Sequence, residues 1–403
     1  NGLEKRPKLR FPGFDEPWNT ALLSDYFVKS TKKNSDGMIS NVICNSAKQG
    51  LIPQREYFDK DIANSDNTNG YYIIESNDFV YNPRKSADAP YGPISSYQYP
   101  EAGIVSPLYL CFRAKREINP LYFEWYFRSS AWHRYIYMSG DSGARHDRVS
   151  IKDDVFFAMP INVPSAKEQE RISLFLDAIE RRIETQRTLV ETLKKYKRGV
   201  VRSLLSPEHC GLKEVQWQCD TIGNLGFFIK GAPLSKADIS KTGTPFILYG
   251  ELYTTYHEVI TSVVRKTEAV VEQVYHSMVG DVLIPTSGET SEEISTASCI
   301  MLPGVILAGD LNIFRSTKID GRIMSYMLNH IVNGNIARVA QGKSVVHVQA
   351  SEISKIKISY PDPETQIRII KILEAISNRI ESCENELNHL TKMRSSLLQQ
   401  LFI

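Results

Sequence analysis

Apolar residues recur about every 3.5 residues in two long segments of this chain, residues 169–206 and 366–402. This period predicts α-helices whose apolar stripes pack as in a coiled coil. Each segment follows a strand-like stretch containing prolines, which are compatible with the first turn of a helix and little beyond it. The pattern therefore predicts two long amphipathic helices.

The two helical segments repeat each other at an offset of 197 residues. Residues 161–206 align with residues 358–403 without a gap, and 14 of the 46 aligned pairs are identical. A period of about 200 residues indicates duplication of whole domains, because solenoid units span only about 20–50 residues. The positions predicted to form the helix–helix seam are Ile172, Leu176, Ile179, Ile183, Val190, Leu193, Ile369, Leu373, Ile376, Ile380, Leu387 and Leu390.

Both stripes are interrupted at equivalent places, by Gln186 or Cys383 and by Lys197 or Arg394. A buried polar position weakens a coiled coil but fixes its register. Each helix could pack only on its own domain, or the two could pack on each other. The matched interruptions favour the second arrangement, with antiparallel helices that each leave one globular domain and reach the other. We therefore expect a dumbbell with a pseudo-two-fold axis.

The regions between the helices, residues 18–157 and 217–354, contain short β-like runs separated by Gly, Pro, Asn and Asp, which is typical of strands joined by turns. Each also carries one apolar helical stretch before a glycine-containing loop, and at the 197-residue offset Val149 aligns with Val346. The sequence predicts an α+β fold with two mixed α/β domains and two spacer helices. The expected order is domain 1 over 1–160, helix 1 over 161–206, domain 2 over 207–357 and helix 2 over 358–403.

Composition places the chain among ordinary globular proteins, with 42% hydrophobic and 23% charged residues. The six cysteines include no C-x-x-C pair, which argues against a zinc knuckle or redox motif and fits a reducing cytoplasm. The first residues lack the apolar core of a signal peptide, and no apolar run approaches a membrane span. The net charge of +2 neither favours nor excludes a nucleic-acid partner.

Catalytic motifs are missing from the sequence. The "GKS" at Gly342–Ser344 is not a phosphate-binding loop, because Ala337 stands where that motif requires glycine. "PDPE" from Pro361 is not followed by the E-x-K of a nuclease. No H-E-x-x-H, G-x-S-x-G or G-x-G-x-x-G occurs. The sequence therefore favours a protein without catalysis and without a metal site of its own.

The whole chain resembles the DNA-specificity subunit of type I restriction–modification systems. The resemblance is carried by the repeated helices with Gln169 and Gln366 after their prolines, by "SNDFVYN" at Ser76–Asn82, by "GDVLI" at Gly280–Ile284, and by the opening "PKLRFPGFDEPW". It implies two target-recognition domains, each reading one half of a split double-stranded DNA site, with the helices setting the unread gap and docking methyltransferase subunits. It also implies two methyltransferase and two restriction subunits as partners. S-adenosylmethionine, ATP and Mg²⁺ would then bind to the partners, and no cofactor to this chain.

Base-contacting residues cannot be carried over from this family, whose recognition domains differ, so they are predicted from chemistry. Neither domain is basic: residues 20–160 hold 16 basic and 16 acidic side chains, and residues 217–357 hold 12 and 13. We therefore expect partner subunits to contact much of the phosphate backbone. Polar loop groups can reach base edges. The candidates are Lys32, Lys33, Arg84, Lys85, Arg145, His146, Arg148, Lys230, Lys236, Thr286, Ser287, Glu289, Lys343, Ser344 and His347.

Two other functions remain open at this point. The chain could be a stand-alone DNA methyltransferase or nuclease with an unrecognised active site. It could also be a scaffold that joins proteins without touching DNA. For each candidate residue, a solvated surface charge is an equally good interpretation.

Overall fold

The computed structural model describes residues 6–57, 68–140, 147–339 and 346–403. It divides into two compact units. Unit 1 comprises Asn1–Arg187 and Asn385–Ile403, and unit 2 comprises Thr188–Glu384. Each unit therefore combines one globular region with parts of both long helices. The mixture of sheets and helices confirms the predicted α+β class, and the pseudo-two-fold axis stays a prediction.

The described part of unit 1 is built from short strands and short helices that precede the first long helix. The strands are β1 (Asn19–Leu22), β2 (Phe27–Lys29), β3 (Ile43–Ser46), β4 (Gly50–Pro53), β5 (Tyr72–Ile74), β6 (Phe79–Tyr81), β7 (Ile94–Ser96), β8 (Gly103–Val105), β9 (Leu110–Ala114) and β10 (Pro160–Val163). The helices are α1 (Leu23–Tyr26), α2 (Gln54–Tyr57), α3 (Pro120–Arg128), α4 (His133–Ser139), α5 (Asp153–Phe157) and α6 (Ala166–Leu204). Helix α6 continues into unit 2.

The described part of unit 2 has a similar composition of elements. The strands are β11 (Trp217–Thr221), β12 (Gly226–Lys230), β13 (Thr244–Leu248), β14 (Val259–Ile260), β15 (Arg265–Thr267), β16 (Asp281–Pro285), β17 (Ser287–Gly288), β18 (Ser298–Ile300), β19 (Ile306–Ala308), β20 (Leu311–Ser316), β21 (Val346–His347) and β22 (Lys357–Pro361). The helices are α7 (Ile222–Leu225), α8 (Glu251–Thr254), α9 (Ser291–Ile294), α10 (Gly321–His330), α11 (Asn333–Val339), α12 (Ala350–Ile353) and α13 (Pro363–Leu401), whose last residues return to unit 1.

The central sheets of the two units have the same strand order. In unit 1 the order is β2-β9-β6-β7, and in unit 2 it is β12-β20-β16-β18, extended by β14. The first three pairings are antiparallel in both sheets. In both units a strand near the start of the globular region pairs with the strand before the long helix, β1 with β10 and β11 with β22. The duplication seen in the helices therefore extends to the strand arrangement of the two globular regions.

An ion pair with a buried aspartate also repeats within the two central sheets. Asp78, before β6, accepts two hydrogen bonds from Arg113 of β9, at 2.6 and 2.7 Å. Asp281, at the start of β16, accepts two from Arg315 of β20, at 2.8 and 2.7 Å. Both aspartates are 1% exposed. A residue with positive φ precedes each, Asn77 or Gly280, which explains the matched "ND" and "GD" of the sequence.

The two 39-residue helices begin with the same local contact. The Nε2 atom of Gln169 donates to the carbonyl oxygen of Pro164 at 2.9 Å, and that of Gln366 donates to Pro361 at 2.8 Å. Asp362 also caps α13, because its carboxylate accepts from the backbone N–H and hydroxyl of Thr365. These hydrogen bonds lower the pKa of Asp362 to about 2. The repeated proline and glutamine are thus part of the strand-to-helix connection.

Within unit 1, α6 and the last residues of α13 pack antiparallel. Arg394 donates to Glu180 at 2.6 Å, and Arg182 donates to Glu386 at 2.7 Å. A later residue of α6 therefore pairs with an earlier residue of α13, as expected for antiparallel helices. Leu401 and Phe402 complete the aromatic core of this unit. Within unit 2, Lys194 bonds Glu384 at 2.8 Å. There the end of α6 and the start of α13 share one apolar core that includes Val201, Leu204, Ile369 and Leu373.

Candidate nucleic-acid interface

Two of the predicted loops of unit 1 meet and form one cleft. The backbone N–H of Lys85 donates to the carbonyl of Asp147, and that of Val149 donates to Pro83, both at 2.8 Å. Arg84 and Arg148 are directly opposed in this short antiparallel bridge. Together they line a cleft of about 460 Å³. The segment after β6 contributes Arg84 and Lys85, and the segment before α5 contributes Arg148.

The walls of the unit 1 cleft are polar and firmly positioned. Asn45 is 5% exposed, and its side-chain amide donates to the carbonyl oxygens of Val80 and Pro93 at 2.8 and 3.2 Å. The side chain of Asn82 donates to the backbone of Asn45 at 3.2 Å. Burial raises the pKa of Tyr109, while the positive charge of Arg84 acts in the opposite direction.

Unit 2 contains an equivalent cleft at the same place in its sheet. Strands β17 and β21 pair antiparallel, with Ser287 opposite His347, and Val348 donates its N–H to the carbonyl of Thr286 at 3.0 Å. The cleft beside them measures about 820 Å³ and is lined by three predicted residues, Lys230, Thr286 and His347.

These hydrogen bonds correct the alignment expected for the two loops. The backbone N–H of Val149 donates to the loop after β6. In unit 2 the residue whose N–H makes the equivalent hydrogen bond is Val348, not Val346. The offset is therefore 199 residues here instead of 197. Two extra residues in a helix would shift its seam, because the apolar pattern repeats every seven residues, whereas a loop absorbs two residues without disturbing the sheet.

A second cleft of unit 2, of about 880 Å³, adjoins the first. Lys236 and Glu289, both predicted, line it together with Asp310, which also lines the first cleft. Its wall includes Glu251, a buried carboxylate that forms an ion pair with Arg265. Burial, with the nearby Tyr249, Glu293 and Glu289, raises the pKa of Tyr253.

The other predicted residues fall in three groups. Lys32 and Lys33 are exposed near β5 and do not line the unit 1 cleft; Lys32 lies 4.0 Å from Glu75. Ser287 is 5% exposed, and its hydroxyl donates to Asp310 at 2.9 Å, so it supports the cleft wall. Four candidates lie outside the described residues, namely Arg145, His146, Lys343 and Ser344. DNA contact by any of these side chains stays a prediction.

The twelve predicted seam positions are all buried or half-buried in the structure. Eight are buried: Ile172, Leu176, Ile179, Ile183, Val190, Ile369, Leu373 and Ile380. The half-buried ones are Leu193, Ile376, Leu387 and Leu390. The two polar interruptions differ from each other, since Gln186 and Cys383 are buried whereas Lys197 and Arg394 reach carboxylates of their own units.

Several residues that line these clefts were missed by sequence reasoning, and three of them are notable. Asp310 is an exposed carboxylate shared by both clefts of unit 2, Gln349 lines the first of them, and Tyr109 lines the cleft of unit 1. Asp310 follows Gly309, which has a φ of 77°. The "GD" pair was a turn signal, but nothing local showed which loop the turn would face.

Within the described ranges, no group of three or more His, Cys, Asp or Glu side chains is arranged to hold a metal ion. In the same ranges, no helix has both the length and the apolar character that crossing a bilayer requires.

Known proteins match this chain in sequence and in fold. Residues 214–392 match the family described as "Type I restriction modification DNA specificity domain". The MjaX type I restriction enzyme specificity subunit of Methanocaldococcus jannaschii is 23% identical over 305 residues, which cover 71% of this chain and 68% of the relative.

Two solved structures share the fold. A chain from a study of complex assembly and conformational transition in a type I R-M system has a TM-score of 0.61, at 15% identity, over 98% of this chain and 99% of the other. The type I restriction–modification S subunit of M. genitalium has a TM-score of 0.57, at 15% identity, over 99% of both chains.

These similarities confirm the resemblance seen in the sequence. Residues 214–392 match the DNA specificity domain of type I restriction–modification systems, and the chain is similar to a specificity subunit over 71% of its length. Specificity subunits are non-catalytic, and catalysis resides in their partner subunits.

Proposed function

We propose that this chain selects the DNA sequence on which a type I restriction–modification complex acts. Unit 1 reads one half of a bipartite double-stranded site through the cleft at Arg84 and Arg148. Unit 2 reads the other half through the clefts at His347 and Asp310. This proposal rests mainly on one observation: the two units have equivalent clefts at the same place in their sheets, and these clefts are lined by different side chains.

The chemistry of the unit 2 clefts supports base reading over simple phosphate binding. A phosphate-binding surface is rich in lysine and arginine, since affinity grows with each neutralised phosphate. The unit 2 clefts instead combine Lys230 and His347 with the carboxylates of Asp310 and Glu289. Carboxylates repel phosphates but accept hydrogen bonds from the amino groups of cytosine and adenine. Mixed donors and acceptors suit the base edges of the major groove.

The long helices are proposed to fix the unread gap between the half-sites and to dock the catalytic partners. Two methyltransferase subunits would bind S-adenosylmethionine and methylate adenine, and two motor–nuclease subunits would bind ATP and Mg²⁺. This chain would carry no cofactor. The complex would act in the cytoplasm, where the reduced cysteines remain stable.

The experiment reconstitutes the full-length chain with its methyltransferase partner and measures binding to a library of duplexes at fixed salt. If the chain is a specificity subunit, the bound duplexes should share a motif split into two halves. His347→Ala should then alter only one half of this motif. Binding that requires the partner but has no sequence preference would favour the protein scaffold. Methyl transfer from labelled S-adenosylmethionine by this chain alone would instead establish a stand-alone methyltransferase.

A further inference from the structure

Arg84 and Arg148 form a like-charged pair across the bridge of unit 1. Directly opposed residues of an antiparallel pair have Cβ atoms about 4.5–5.5 Å apart, with side chains on the same face. The two guanidinium groups therefore extend from neighbouring points on one surface. Both residues line the 460 Å³ cleft.

The two positive charges of this pair repel each other, and the described residues offer little compensating negative charge. Like charges placed directly opposite destabilise a strand pair. Among the described residues, no carboxylate forms an ion pair with Arg84, and the partner of Arg148 is the adjacent Asp147 at 3.8 Å. Arg113 and Arg128, by contrast, hold carboxylates at 2.6 and 2.8 Å.

The bridge itself does not require the two arginines. In unit 2 the opposed positions are Ser287 and His347, and the same backbone pairing forms. The cationic pair is therefore specific to the unit 1 cleft. Arg84 is exposed and Arg148 is half-buried, so both can meet a ligand that approaches the cleft.

We propose that Arg84 and Arg148 make guanine the base selected by unit 1. Guanine presents two adjacent acceptors, O6 and N7, in the major groove, and arginine is the side chain that bonds both at once. Successive base pairs rise about 3.4 Å, which is within reach of two side chains that start about 5 Å apart. Arg84 reads the guanine, and Arg148 contacts the neighbouring base pair. This inference rests on the proposed function.

The test uses the complete complex with its methyltransferase partner and compares Arg84→Lys with wild type. Lysine keeps the charge but lacks the fork that bonds O6 and N7 together. We expect preference for G·C at one position of one half-site to fall roughly 5- to 150-fold. The half-site altered by His347→Ala should stay unchanged in this variant. Arg134→Ala removes an exposed charge of unit 1 outside the cleft and should leave the motif unaltered.

Three results would overturn the inference. A wild-type motif with no guanine in the half affected by Arg84→Lys contradicts it directly. An unaltered motif in both Arg84→Lys and Arg84→Ala shows a solvated surface residue. Equal weakening of all sequences in Arg84→Ala, rescued in Arg84→Lys, shows a phosphate contact. Failure of the proposed function is distinguishable, because wild type itself would then show no sequence preference.

Discussion

Arg315 holds Asp281 through two parallel hydrogen bonds of 2.8 and 2.7 Å across neighbouring strands of unit 2. The side chain of Asp281 is 1% exposed and that of Arg315 is 19% exposed. The same fork joins Arg113 to Asp78 in unit 1, where the arginine is 42% exposed. A buried carboxylate is stable only when it is paired, so these bonds stabilise the central strands.

Asp281→Asn should therefore destabilise unit 2. The substitution removes the charge partner of Arg315 and leaves a guanidinium half enclosed by the sheet. We expect a loss of about 2–4 kcal/mol, measured as the free energy of unfolding in urea. Asp78→Asn should cost less, since Arg113 is better solvated and also bonds Glu75 at 2.8 Å. Equal stability of Asp281→Asn and wild type would show that the pair contributes nothing.

Charges placed in the helix seam should unfold the helix pair. Leu176→Asp and Leu373→Asp each put a carboxylate at a side chain that is 0% exposed, at an expected cost of several kcal/mol, roughly 3–5. Leu174 and Ile372 are neighbours at 53% and 37% exposure, so Leu174→Asp and Ile372→Asp are matched controls with little effect. Thermal unfolding measures all four variants. Similar melting temperatures for seam and control variants would rule out close helix packing.

The half-buried carboxylate of Glu258 should make the stability of unit 2 depend on pH. It accepts from His330 at 2.8 Å and from Lys197 of α6 at 2.9 Å. Burial opposes its ionisation, but these two partners outweigh burial and lower its pKa below the ordinary 4.5. A depressed carboxylate pKa contributes stability above the unfolded value, and this contribution is lost as pH falls through the folded value.

Glu258→Gln removes that titration and tests it. At pH 5 and above the wild type should be more stable than the variant. Below about pH 4.5 the difference should shrink as the wild-type carboxylate becomes protonated. Melting temperatures across this range measure the effect. A difference that does not change with pH would mean that Glu258 does not titrate differently on folding.

Deleting one heptad from both helices tests whether the helices set the gap. Ile179–Thr185 and Leu390–Ser396 are suitable, because Glu180 and Arg394 in these segments form a direct ion pair within unit 1. Seven residues span about 10.5 Å of helix, or roughly 3 bp of B-DNA. The seam survives, because its pattern repeats every seven residues. The native motif should no longer be methylated, and any remaining activity should require a gap shortened by two to four base pairs.

A deletion in one helix alone is the control for the paired deletion, and it should misfold the protein because the two seams no longer match. Methylation of the native motif by the doubly shortened protein would show that something other than the helices sets the gap.

The helices could be predicted from sequence because their determinants are local and repeated. A 3.5-residue stripe fixes which face is buried, and Gln169 and Gln366 bond prolines only five residues away. The clefts depend on contacts between distant segments. Ser287 was predicted to contact DNA, but its hydroxyl is bound by Asp310, 23 residues further along. Such pairings follow from sheet register, which short strands of mixed polarity do not encode individually.

The most direct test of sequence selection by this chain is a map of N6-methyladenine in the host genome. Three strains are compared: one with this gene, one without it, and one in which Thr286 and His347 are both replaced by alanine. We predict a split motif in the first strain, its complete loss in the second, and a motif changed in one half only in the third. The same methylated motif with and without the gene would contradict the claim that this chain selects the sequence. A motif changed in both halves by the unit 2 variant would contradict separate reading by the two units.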